Sequence, residues 1–122
     1  MTGNKDSGTT PAKIEATKVG AYAVFSLPGS ITYQNCAGIE TGLLELIEKK
    51  QSAVILECKE VSFLDSVALE MLLRVQEVYQ GRGGRMKIVG LNAVCLDTLI
   101  ATRLINQFHV YPDMQEAVKE AS

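Results

Sequence analysis

The chain has 122 residues, a formal net charge of −2 and 47% hydrophobic residues. That length suits one domain, and the apolar fraction supports a core without disulfides or metal. Interspersed acids and bases leave no basic stripe, which argues against a nucleic-acid surface, and no apolar run approaches the roughly 20 residues that span a bilayer.

Met1 to Ala12 (MTGNKDSGTTPA) is small and polar, with no secretory pattern, and is expected to be a disordered tail ahead of a domain over 13–122. A soluble, cytoplasmic protein is expected. The three cysteines, Cys36, Cys58 and Cys95, are far apart and lie in apolar neighbourhoods. With no Cys-x-x-Cys and no Cys/His spacing, they read as buried thiols of a reducing compartment and not as zinc ligands.

From Lys13 the pattern turns regular. Ile14, Ala16 and Lys18 suit an edge strand, Val19-Gly20 a turn, and Ala21 to Leu27 a second strand paired with the first as a hairpin. Pro28-Gly29 ends that strand, and Ser30 to Asn35 forms a polar loop. Cys36, Ile39, Leu43, Leu46 and Ile47 then recur at helical spacing, with Glu40, Glu45 and Glu48 opposite and Lys49 and Lys50 expected in the last turn. Ala53 to Leu56 is a continuous apolar run, as in a central strand covered on both faces.

Asp65-Ser66 follows the next connection and opens a strongly amphipathic helix, Val67 to Gln80. Ala68, Met71, Leu72, Val75, Val78 and Tyr79 form its apolar face, which Leu69 and Leu73 widen, while Glu70 and Arg74 are spaced for a helical ion pair in solvent. Gly81 to Gly84 stops it. The cluster Arg82, Arg85 and Lys87 around that stop reads as a solvated turn. Met86 to Val89 is a further strand, Gly90 to Asn92 a turn, Val94 to Thr102 a third helix and His109 to Tyr111 a last strand. Asp113 to Glu116 starts a capping-box helix that ends near Glu120. The order β-β-α-β-α-β-α-β-α predicts an α/β fold with a mixed, mainly parallel sheet of four to five strands and about four helices.

The chemistry concentrates at Asp65-Ser66. A hydroxyl in the first turn of a helix sits where unpaired backbone N–H groups and the helix dipole favour negative charge. A phosphoryl group there would change the surface charge by nearly two units. Ser66 or Asp65 serving as an ordinary helix cap is the structural reading of the same residues, and the two roles are compatible. No paired acids with a base, no metal cluster and no phosphate loop occur near Gly83-Gly84, so no catalytic residue, cofactor or metal is expected.

The stretches VILECKEVSFLDSVALEMLLRVQEVYQGRGGRMKIVGLN and LINQFHVYPDMQEAV, with AVFSLPGSI upstream, resemble the STAS domain of anti-sigma factor antagonists and sulfate-transporter tails. The apolar strand, the V-x-F-x-D-S loop, the helix, the Gly-Gly turn and the next strand stand in the family's order over roughly 13–120. The resemblance implies a binding module without catalysis, docking on an anti-sigma factor that is also a serine kinase, with Ser66 as phospho-acceptor and Asp65 beside it. It places partner contacts at Ser30, Thr32, Tyr33, Val67, Leu69 and Asn92, and allows a weak homodimer. Where many antagonists carry a second serine this chain has Val67, so Ser66 is the one acceptor in the motif; Glu57 replaces an Asp, and Ser30 and Thr32 replace acids. Two rival readings follow. One is a scaffold of a stressosome-like or lipid-transport assembly that works without phosphorylation. The other is a ligand binder or enzyme on a flavodoxin-like sheet, which the missing Gly-rich loop disfavours.

Overall fold

The computed structural model describes residues 16–27, 29–51 and 53–119. The expected tail over 1–12, Ile14 and Pro28 lie outside them. Five strands form one sheet in the order of the chain: β1 (Ala16–Val19), β2 (Tyr22–Ser26), β3 (Ala53–Glu57), β4 (Arg85–Val89) and β5 (His109–Tyr111). β1 pairs antiparallel with β2, and every later pair is parallel. The hairpin turns on Gly20, whose φ of +61° at the first turn position suits the right-handed twist of the two strands.

Each parallel step crosses over through a helix: α1 (Cys36–Glu48), α2 (Ser66–Gly81) and α3 (Ala93–Ala101). Crossovers of one hand in a monotonic strand order put all these helices on one face of the sheet. The main core lies there. Ala23, Phe25, Val54, Leu56, Met86 and Ile88 of the strands meet Ile39, Leu43, Ala68, Leu72, Val75 and Leu99 of the helices. The opposite face is smaller: Val24, Ile55 and Val89 pack on Ala117 of α4 (Met114–Lys119). β3 is therefore covered on both sides, which is why its apolar residues run without alternation.

The structure corrects several expectations. Leu69 is 4% exposed and belongs to the core, not to a partner surface, because it falls on the sheet-facing stripe of α2. Lys87 is no part of a solvated turn. Strand alternation points it at the α4 face, where its Nζ donates to the Ala117 carbonyl at 2.7 Å and sits 4.9 and 5.1 Å from the ring centres of Tyr22 and Tyr111. Lys49 caps α1 instead of lying in its last turn, and Lys50 follows in the left-handed region at φ 68°. Arg74 forks onto Glu40 of α1, at 2.9 and 3.2 Å, instead of pairing with Glu70. A turn of 3-10 helix, Ile105–Gln107, was not expected from the pattern.

Candidate functional site

Ser66 stands at the carboxyl edge of the parallel strands, where connections leave the sheet and ligands of such folds are met. Beyond the strands proper, the loops after β2 and β3 stay zipped together. Leu27 N–H donates to Glu57 O at 3.0 Å, Ile31 N–H to Phe63 O at 3.1 Å, and Asp65 N–H to Ile31 O at 3.2 Å. Ile31 and Leu64 form an isolated parallel bridge and are both buried. These contacts hold the start of α2 against the 30–35 loop.

Asp65 joins the two. One carboxylate oxygen accepts from Ala68 N–H at 2.8 Å, capping α2, and the other accepts from Tyr33 N–H at 2.8 Å. Asn92 repeats the device for α3. Its Oδ1 accepts from Cys95 N–H at 2.8 Å, while its Nδ2 donates to the carbonyls of Val61 and Ser62 at 3.2 and 3.3 Å. Within the 30–35 loop, Asn35 accepts from Thr32 N–H and donates to Ser30 O, both at 2.9 Å. Ser30 Oγ donates to Ser62 Oγ at 3.2 Å. Three segments, 30–35, 61–67 and 92–95, are thereby stitched into one surface.

Ser66 is exposed on that surface, at the first position of α2. Asp65 takes the Ala68 amide by its side chain and the Leu69 amide by its carbonyl. The amides of Ser66 and Val67 have no protein acceptor among the described residues and face the end of the helix dipole. The same three segments expose apolar side chains: Tyr33 at 68%, Phe63 at 45%, Val67 at 40% and Val94 at 57%. Tyr33 and Val67 were legible in the sequence. Phe63 and Val94 were not, since Phe63 lies in a loop without periodicity and Val94 reads as one more apolar residue of a helix. Ser30 and Asn92 bind the segments together, and Thr32, half-buried, accepts from Gln34 N–H at 3.2 Å, so these three shape the surface more than they decorate it.

Cys36 and Cys95 sit beneath that surface, and none of the three cysteines is exposed on it. All three cysteines are buried and free. Burial raises the Cys58 thiol far above its ordinary range, with lesser pushes from Cys95 and Glu57, and burial likewise raises Cys95, which disfavours the thiolate at both. His109 is exposed on β5. Among the described residues no group of three acid, histidine or cysteine side chains gathers to hold a metal, and no helix is long and apolar enough to cross a membrane.

The sequence pattern of the STAS domain matches residues 13–117, nearly the whole chain. The chain belongs to the STAS domain family. Its fold is that of solved anti-sigma factor antagonists. A putative anti-sigma factor antagonist from Thermotoga maritima superposes with a TM-score of 0.84 at 17% identity, covering 89% of this chain and 94% of the other. The Bacillus cell-fate determinant SpoIIAA in its phosphorylated form superposes with a TM-score of 0.66 at 15% identity, covering 89% and 99%. In sequence, this STAS domain is 27% identical over 104 residues to YvdB of Bacillus subtilis, named a putative sulfate transporter, matching 85% of this chain. It spans only 19% of that curated relative's length.

Proposed function

We propose that this STAS domain is a phosphorylation-controlled docking module of the anti-sigma factor antagonist kind. It acts in the cytoplasm and binds an anti-sigma factor that doubles as a serine kinase. The observation that carries the reading is the exposed Ser66 at the start of α2, on a surface whose stitched segments also expose Tyr33, Phe63, Val67 and Val94. The unmodified surface offers an apolar anchor of the sort that dominates protein interfaces. When the kinase transfers a phosphoryl group from ATP to Ser66 Oγ, the dianion takes the vacant amides of the helix start, so α2 is not unravelled. The same charge stands beside Asp65 on a surface with exposed apolar side chains, and burying it against a partner is costly. Docking therefore ends and the partner is released to its sigma factor.

The test is calorimetry with the cognate anti-sigma factor. Ser66→Ala should bind as the unmodified chain does, and Ser66→Asp should bind at least ~10-fold more weakly. Equal affinities for the two variants would sink the switch. A second reading, a phosphorylation-independent scaffold of a transport or stressosome-like assembly, is favoured by the likeness to YvdB and by Val67 in the place of a second serine. Copurification with a membrane protein, with no effect of Ser66→Asp, would select it.

A further inference from the structure

α3 (AVCLDTLIA) is apolar almost all round, yet only Cys95 and Leu99 are buried. A helix of that composition is expected to be covered on more than one side. Ile100 is 58% exposed. Leu96, one turn earlier on the same flank, walls a cleft of about 470 Å³ with Ile105, Phe108 and Val110. A projecting apolar side chain thus stands beside an apolar hollow. The charges about Ile100 are arranged with the same economy. Asp97 and Arg103 lie three residues to either side of it, both are exposed, and neither forms an ion pair among the described residues. Arg103 is held in place by the helix stop. Its N–H donates to Ile100 O at 3.0 Å, Leu104 N–H donates to Leu99 O at 2.8 Å, and its φ is 63°.

We propose that this end of α3 is a self-association surface, at which a second copy of the chain docks about a two-fold axis through Ile100, with Asp97 of each copy paired to Arg103 of the other. Antiparallel apposition of two such helices makes any contact of residue i with residue j occur twice. Placing the axis at Ile100 therefore matches each acid with the other copy's base, while a parallel apposition would set like charges together. The apolar contacts supply affinity, and the paired charges supply orientation and register. Ile100 lies at the opposite end of α3 from its Asn92 cap, so the pair would present two free Ser66 surfaces, and the inference does not rest on what those surfaces bind.

Sedimentation equilibrium of the whole chain, from about 5 to about 500 μM, tests this. The mass should rise from the 13.2 kDa monomer towards twice that value. Ile100→Asp should remain a monomer. Asp97→Arg and Arg103→Asp should each weaken association at least ~10-fold, and the two together should restore it to within about threefold of the parent chain. Circular dichroism will show whether each variant is folded, and Ile100→Ser supplies a milder change at the same place. A monomer at every concentration, association untouched by both Ile100 variants, or no recovery in the double charge reversal would each overturn the proposal; in the first case the face serves some other occupant.

Discussion

Tyr79 shows how one buried polar atom ties two helices. The residue is fully enclosed, and its hydroxyl donates to the Leu43 carbonyl of α1 at 2.7 Å. Burial pushes the phenol up from 10.0 to about 12. The folded chain therefore keeps a proton that the unfolded chain loses, so this contribution to stability is whole below about pH 10 and disappears as the pH climbs to about 12. The buried thiols of Cys58 and Cys95 act in the same direction, beginning nearer their unfolded value of 9.0. Urea midpoints should accordingly fall above about pH 9. Tyr79→Phe should lower stability by about 1 kcal/mol at neutral pH and decline less steeply in alkali, since it has no phenol to ionise. Urea titrations of both proteins at about pH 7 and about pH 10.5 check this.

The helices are placed by side chains that each do two jobs. Asp65 caps α2 and holds Tyr33; Asn92 caps α3 and holds the loop at Val61 and Ser62. Asp65→Ala should cost about 1–2 kcal/mol, because the cap is lost. Asp65→Asn should cost much less, since its one carbonyl oxygen can still cap the helix while its NH₂ group cannot accept from Tyr33. Thermal melts report the difference, and hydrogen exchange at the Tyr33 amide should quicken in both variants. The Arg74 to Glu40 fork also joins α1 to α2, but it is exposed, and a surface pair of that kind adds little. α4 has six residues and rests on the second sheet face by Ala117, with the Lys87 ammonium reaching its carbonyl beneath.

At the scale of the molecule, the monotonic strand order decides what the surface can do. Every parallel strand ends at one edge, and the loops that leave there carry Ser30, Phe63, Ser66 and Asn92 together. Residues a few positions apart in the sequence part company on this basis. Phe63 is exposed, so Phe63→Ser should shift stability by no more than ~0.5 kcal/mol while weakening binding of the proposed anti-sigma partner at least ~10-fold. Leu69→Ala, in the core, should lose about 2–5 kcal/mol, so any fall in binding there reports folding. Melting curves set beside calorimetry separate the two, and an unchanged affinity in Phe63→Ser would remove that residue from the docking surface.

The amino-acid sequence by itself determined the strands and α-helices and their order. Apolar spacing along 36–47 and 66–80 is a property of single helices, the run at 53–56 of a single strand, and Asp65 before an apolar stripe of a single cap, so each can be read without knowing its neighbours. The tertiary structure alone decided which side chains meet. Lys87 looked solvated until the α4 face closed over it, and Phe63 and Val94 came onto one surface with Ser66 only when three distant loops were bonded together. Local periodicity follows from backbone geometry within a few residues. Proximity across the chain follows from strand order and hydrogen bonds between loops some 30 residues apart, as between Tyr33 and Asp65, and no short stretch of sequence contains both partners.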